Sequence, residues 1–155
     1  MNRPEPELDD LYKQIILEHY RRPRNREDLS EADITAEGVN PLCGDEIRVQ
    51  LGFRGDSIER VGFRGKGCSI SQSSASLMTE AIKGRTRSDA ARMKAEFEQM
   101  LTEGTEPAEE LGDLEALQGV SKFPVRIKCA LLPWKVLGQA LDERDGQAPQ
   151  TVSTE

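Results

Sequence analysis

The chain has 155 residues, of which 36% are hydrophobic and 32% charged, and a formal net charge of −7 with a single histidine. That is the length of one domain with a real core, and the acidic balance excludes a protein that wraps nucleic acid, which asks for a basic stripe. No apolar run approaches the ~20 residues that span a bilayer, and the opening "MNRPEPELDD" carries no apolar secretion segment. The expectation is a soluble protein with no membrane role, in a reducing, cytoplasmic compartment, where the three cysteines serve as thiols, metal ligands or catalysts rather than disulfides.

In chain order, Leu8, Leu11, Tyr12, Ile15, Ile16 and His19 recur at helical spacing and predict an amphipathic first helix. Pro23 ends it, because the residue before a proline avoids the helical region. The basic run "RRPRNR" reads as a solvated helix end or a partner-docking segment, and "EADITAEGVNPLCGD" as a turn-rich connection. From Asp45 the period becomes two, with Ile47, Val49, Leu51 and Phe53 on one face, predicting a strand over 45–53. "RGDS" is a hairpin turn in which Gly55 supplies a positive φ, and a second strand follows over 57–64. "RGKGCSI" reads as a third extended segment. Ile70, Ser74, Leu77, Met78, Ala81 and Ile82 then mark a helix that stops at Gly84. Ser88 is placed to cap another helix, which carries Met93, Phe97, Met100 and Leu101. "TEGTEPAEELGD" is an acidic linker with room for a short helical turn, and Pro124 suits the first turn of a last helix running to about Leu141. Residues 144–155 form a polar tail, expected to be disordered, which leaves one domain over 1–143. Strands first and helices after predict an α+β fold, a small three-stranded antiparallel sheet packed by helices.

The cysteines occupy distinctive positions. Cys43 lies in the proline-glycine loop "NPLCGDEI", two residues before Asp45. Cys68 directly precedes a predicted helix, where unpaired amides and the helix dipole favour an anion. Cys129 precedes Pro133 by four residues, so a kink or restart of the helix is expected beside it. Each alone reads equally well as a small buried residue, but none falls mid-strand on an apolar face. Paired CxxC knuckles are absent, so spacing alone is moderate evidence. Three thiols and one carboxylate nevertheless make a closed tetrahedral donor set suited to zinc. With a divalent ion the charges come to minus two, which Arg64, Lys66, Arg126 and Lys128 flank and can offset.

The blocks "YKQIILEHYRRPRN", "NPLCGD", "GKGCSISQSSASLM" and "RIKCALLPW" together resemble the SufU branch of the IscU/NifU N-terminal family, over residues from about 11 to 138. The resemblance implies a compact α+β fold and a role in iron–sulfur cluster biogenesis, and by matching position it makes Cys43, Asp45, Cys68 and Cys129 the metal-site residues. Scaffold members carry His just before the last cysteine, where this chain has Lys128, and the long stretch between Cys68 and Cys129 is similar to the SufU insertion. The resemblance further implies Zn2+ as the bound metal, with an iron–sulfur cluster as the alternative. It implies as partners a SufS-like cysteine desulfurase and a downstream iron–sulfur assembly scaffold, the chain itself acting as a monomer.

Other motifs carry plainer readings. His19 falls on the first helix's apolar stripe and is expected to be a hydrogen-bonded structural residue. "SISQSSAS" has no spare histidine base nearby and reads as small residues that let helices approach. Trp134 is core or interface. Cys43 is the expected persulfide-accepting nucleophile, because its loop can move whereas Cys68 and Cys129 are tied to helices. Three functions stay open: a zinc-dependent sulfurtransferase, an iron–sulfur cluster scaffold on the same thiolates, and a structural zinc module. Lys128 argues against the second, and the exposed-looking Cys43 loop against the third.

Overall fold

In the computed structural model, residues 6–144 and 152–153 are described. Helix α1 (Pro6–Arg21) leads into strands β1 (Ile34–Asn40), β2 (Asp45–Arg54) and β3 (Ser57–Lys66), followed by helices α2 (Ser69–Ile82) and α3 (Arg87–Thr102), a 3-10 helical run (Glu109–Lys122) and helix α4 (Pro124–Arg144). The three long strands pair antiparallel, β1 with β2 and β2 with β3, which is the expected α+β architecture. A two-residue strand β4 (Val152–Ser153) adds parallel to Gly38–Val39 of β1, giving the sheet order β3-β2-β1-β4. The rest of the tail expected to be disordered lies outside the described residues, as do the side chains of Leu8 and Leu11 in the predicted stripe. Among the described residues no helix is long and apolar enough to cross a membrane.

The third strand is not the one expected. Within "RGKGCSI", Arg64–Lys66 complete β3 and Ser69 already opens α2, so the segment folds as a strand end and a helix start. The additional strand is β1, inside the stretch read as turns. Its inward positions, Ala36, Gly38 and Asn40, are buried while their neighbours are more exposed. Small or polar residues occupy that face because α4 packs directly across β1 and β2, so no hydrophobic alternation shows.

On β2 the inward residues Ile47, Val49 and Leu51 are fully buried, as the period of two predicts. The β2–β3 turn is the two-residue loop Gly55–Asp56, with Gly55 at φ +61. The helical layer contributes Met78, Ile82, Met93, Phe97, Leu132, Trp134 and Leu137 to the same core, and Trp134 stacks on Phe97 with ring centroids 5.1 Å apart. Trp134 is therefore core.

Thr86, not Ser88, caps α3: its hydroxyl accepts from the Asp89 amide at 3.1 Å, and Ser88 falls within the first turn. Helix α4 continues across Pro133 as one element instead of restarting, because buried Ala130, Leu132, Trp134 and Val136 hold both halves against the core. Ser71, Ser73, Ser74 and Ser76 are all buried on α2, and Ser74 Oγ donates to the Ala130 carbonyl at 2.7 Å, so small side chains do bring α2 and α4 together. His19 meets Ser76 Oγ through Nδ1 at 2.7 Å, the hydrogen-bonded structural role expected of it. The basic run after α1 is fastened as well: the Arg24 amide donates to Ser76 Oγ at 2.8 Å and Asn25 Nδ2 to Thr79 Oγ1 at 2.9 Å.

Candidate metal centre

Four elements supply the site. Asn40 ends β1 and pairs with Asp45 at the start of β2, so Pro41–Gly44 form a four-residue hairpin loop. The Asn40 carbonyl accepts from the Cys43 amide at 3.2 Å and from the Gly44 amide at 2.9 Å, and Gly44 takes φ +73, a value for which glycine is the natural residue. This turn lifts Cys43 to a half-exposed position while Asp45, two residues on, points inward and is 1% exposed.

Gly67 then brings the end of β3 against Asp45. Its φ is +144, and a Cβ there would overlap Asp45 Oδ1 and stand 2.9 Å from Asp45 Cα. The close approach lets the Cys68 amide donate to Asp45 Oδ1 at 2.9 Å. Cys68 is the N-cap of α2, its sulfur accepting from the Ser71 amide at 3.5 Å. Cys129 is fully buried on α4, facing the loop.

Three of the four side chains named from the sequence, Cys43, Asp45 and Cys129, form a close group, and Cys68 borders it through Asp45. One donor atom each from Cys43, Asp45 and Cys129 lies within 4.8 Å of the others. Cys43 Sγ and Cys129 Sγ are 3.5 Å apart, and Cys68 Sγ lies 3.9 Å from Asp45 Oδ2. A tetrahedral ion with donor bonds of 2.0–2.3 Å separates its ligands by roughly 3.3–3.8 Å, a separation the Cys43–Cys129 pair already has, and the donor chemistry of three sulfurs and one oxygen suits Zn2+, which would draw Asp45 and Cys68 closer. Burial pushes the Cys129 thiol well above the ordinary thiol range, and hydrogen bonding to Asp45 and Cys43 adds to the shift. Cys129 therefore needs positive charge nearby to exist as a thiolate. Arg126, one turn earlier on α4, provides some: the charge of Cys68 first, opposed by desolvation and aided by Cys129, holds its guanidinium above the usual value.

Of the other flanking cations, Lys66 pairs with Glu46 at 3.6 Å and Arg64 with Asp28 at 3.5 Å, and Lys128 is exposed. Sequence reasoning left one residue of the cluster out. The Asn40 side-chain amide is 0% exposed and sits between Asp45 and Cys129. A polar residue at an inward position of β1 is the signal that finds it, once β1 is known to be a strand.

The family model described as NifU-like N terminal domain matches residues 11–130. The chain is 48% identical to the protein of Bacillus subtilis (strain 168) named "Zinc-dependent sulfurtransferase SufU", over 90% of this chain and 95% of that protein. It is 38% identical to the "Iron-sulfur cluster assembly scaffold protein IscU" of Streptococcus pyogenes serotype M1, over 86% and 84% of the two chains. Among solved structures, the fold superposes with a TM-score of 0.78 and 37% identity on a putative iron–sulfur cluster assembly scaffold protein for the SUF system from Fervidobacterium islandicum AW-1, covering 83% of this chain and 94% of that one.

Proposed function

The chain belongs to the NifU-like N-terminal domain family, and on that premise we propose that it is a zinc-dependent sulfurtransferase of iron–sulfur cluster biogenesis, taking persulfide sulfur from a SufS-like cysteine desulfurase. Cys43, Asp45, Cys68 and Cys129 would hold Zn2+, which would supply the charge that keeps the thiols deprotonated at neutral pH. The observation that carries the reading is the position of Cys43: in a site whose other donors are anchored on β2, at the start of α2 and within α4, it alone stands in a surface hairpin loop.

In the transfer, the Cys43 sulfur attacks the outer sulfur of the desulfurase persulfide. The S–S bond breaks, the desulfurase cysteine leaves as its thiolate, and Cys43 carries the persulfide on to a downstream iron–sulfur assembly scaffold. Asp45 keeps its tie to the Cys68 amide while Cys43 turns outward, so three donors stay in place. Arg126 balances the negative charge of the remaining sulfurs. The apolar side chains around the site give the desulfurase a place to dock: Leu42 is 66% exposed beside Cys43, and Phe123 and Val125 are 59% and 60% exposed at the start of α4. The chain works as a monomer in the cytoplasm, where its thiols stay reduced.

The test combines a SufS-like desulfurase and free cysteine with this chain and follows alanine release. Wild type raises the rate and Cys43→Ala does not; equal stimulation by both overturns the assignment of Cys43. Because relatives named as scaffolds share the fold, the alternative is cluster assembly on the same donors. Anaerobic incubation with iron and sulfide decides it: a stable coloured cluster on the unmodified chain favours the scaffold.

A further inference from the structure

Asn40 is a fully buried amide at the last position of β1, and its two ends are used very differently. Nδ2 donates to Asp45 Oδ2 at 3.5 Å and to Cys129 Sγ at 3.7 Å, while Oδ1 has no hydrogen-bond partner among the described residues. The orientation fits a loaded site: a carboxylate and a thiolate that ligate zinc offer no proton, so the end of the amide that faces them would be the donor. A buried polar atom left without a partner is destabilising, so an alanine, small enough for the close approach of α4, would serve the core alone better at this inward strand position. The amide is retained where its N–H groups meet two donors of the metal site that come from different elements, β2 and α4.

We propose that Asn40 is a positioning residue of the metal site: its side-chain N–H groups tie Asp45 to Cys129, draw electron density from the Cys129 sulfur, and set how tightly and how slowly the site exchanges its metal. The same residue fixes the Cys43 loop through its main-chain carbonyl, so one residue touches the loop of Cys43, Asp45 on β2 and Cys129 on α4. The main-chain bonds survive any side-chain substitution, which allows the side chain to be tested separately. Partners of this kind behind metal ligands change affinity by about 10–100-fold when removed.

The inference rests on the reading of this site as a zinc centre, and the test separates the two. Zinc affinity and release to a chelator are measured for wild type, Asn40→Ala and the isosteric Asn40→Asp, and the absorption spectrum is recorded after loading each with Co2+. Asn40→Asp keeps the shape of the side chain but replaces the donor with a charge facing Asp45. The expected result is affinity reduced by about tenfold or more in Asn40→Ala and further in Asn40→Asp. Release is faster in both, and the sulfur-to-cobalt charge-transfer band moves to longer wavelength because a thiolate without its N–H donor is more electron-rich. A purely structural residue would lower the melting temperature of the metal-free protein without moving that band. If both variants bind zinc within twofold of wild type and the band stays in place, the positioning role is refuted while the zinc centre stands. If wild type itself takes up no zinc, both fail. Should Asn40→Ala not fold, Asn40→Asp carries the test alone, with the same band as its readout.

Discussion

Gly67→Ala is the sharpest test of how the site is built, because it adds one methyl group between β3 and Asp45. Its φ of +144 already disfavours a side chain, at roughly 1–3 kcal/mol for a residue held in so sparsely populated a region. The added Cβ would also overlap Asp45 Oδ1 and stand 3.0 Å from Asp45 Cγ, so the carboxylate must turn aside. Turning it breaks the bond from the Cys68 amide, a hydrogen bond to a charged group worth about 1.5–3 kcal/mol. Both effects fall on residues proposed to hold the metal, so zinc retention should fall along with stability. Gly44→Ala is the control: at φ +73 it meets nothing within 4 Å, and its cost is the backbone cost alone, about 1–2 kcal/mol. The assay is zinc content by elemental analysis after dialysis against a chelator, paired with thermal unfolding. Gly67→Ala should retain well under one equivalent and Gly44→Ala close to wild type. Full retention by Gly67→Ala, with release as slow as in the control, would refute the claim that glycine is there to admit the Asp45 carboxylate.

Ser76→Ala removes the partner of both His19 Nδ1 and the Arg24 amide and should destabilise the fold by about 1–3 kcal/mol in denaturant unfolding, with zinc stoichiometry intact. Burial, with Arg24 second, lowers the His19 pKa below 6.5, so the unfolded chain takes up the proton first. That contribution to stability is therefore present above about pH 6.5 and is lost as the pH falls through the folded-state value. His19→Gln should flatten this part of the stability–pH curve; an unchanged slope would show that other groups set it. Lys128→His should leave desulfurase stimulation unchanged and yield no coloured cluster with iron and sulfide, whereas a cluster would move the reading toward the scaffold. Chelation of the metal should lower the melting temperature, and titration with Zn2+ should restore it in a concentration-dependent way.

Much of this was legible before any coordinates. The alternation Ile47, Val49, Leu51 announced β2 because that strand buries large apolar residues against helices. The cysteine contexts pointed to the cluster because a thiol in a proline-glycine loop and a thiol before a helix are poor places for core packing. Strand β1 was hidden because close packing by α4 demands Ala36, Gly38 and Asn40 on its inner face, which imitate a loop. The same substitution of small and polar for apolar concealed Asn40. Thr86 takes the cap ahead of Ser88 because the chain enters α3 after the Arg85–Thr86 segment is pinned to β3, the Ile58 amide donating to the Arg85 carbonyl at 2.8 Å, and "TRSD" carries that cap in its own spacing. Pro133 predicts a kink or a restart of α4, and the helix does not restart because packing on both sides of the proline holds it as one element.

The neighbouring sulfurs of Cys43 and Cys129 are 86 residues apart in sequence, and that separation has a consequence for biosynthesis. A chain growing from its N-terminus displays Cys43, Asp45 and Cys68 early, yet the proposed four-donor site cannot form until α4 has left the ribosome and docked across β1 and β2. If the four donors hold zinc as proposed, its capture falls at the end of chain assembly. A product truncated before Cys129 should emerge without tightly held zinc, with its cysteines open to alkylation, and so be distinguishable from the finished protein by thiol labelling alone.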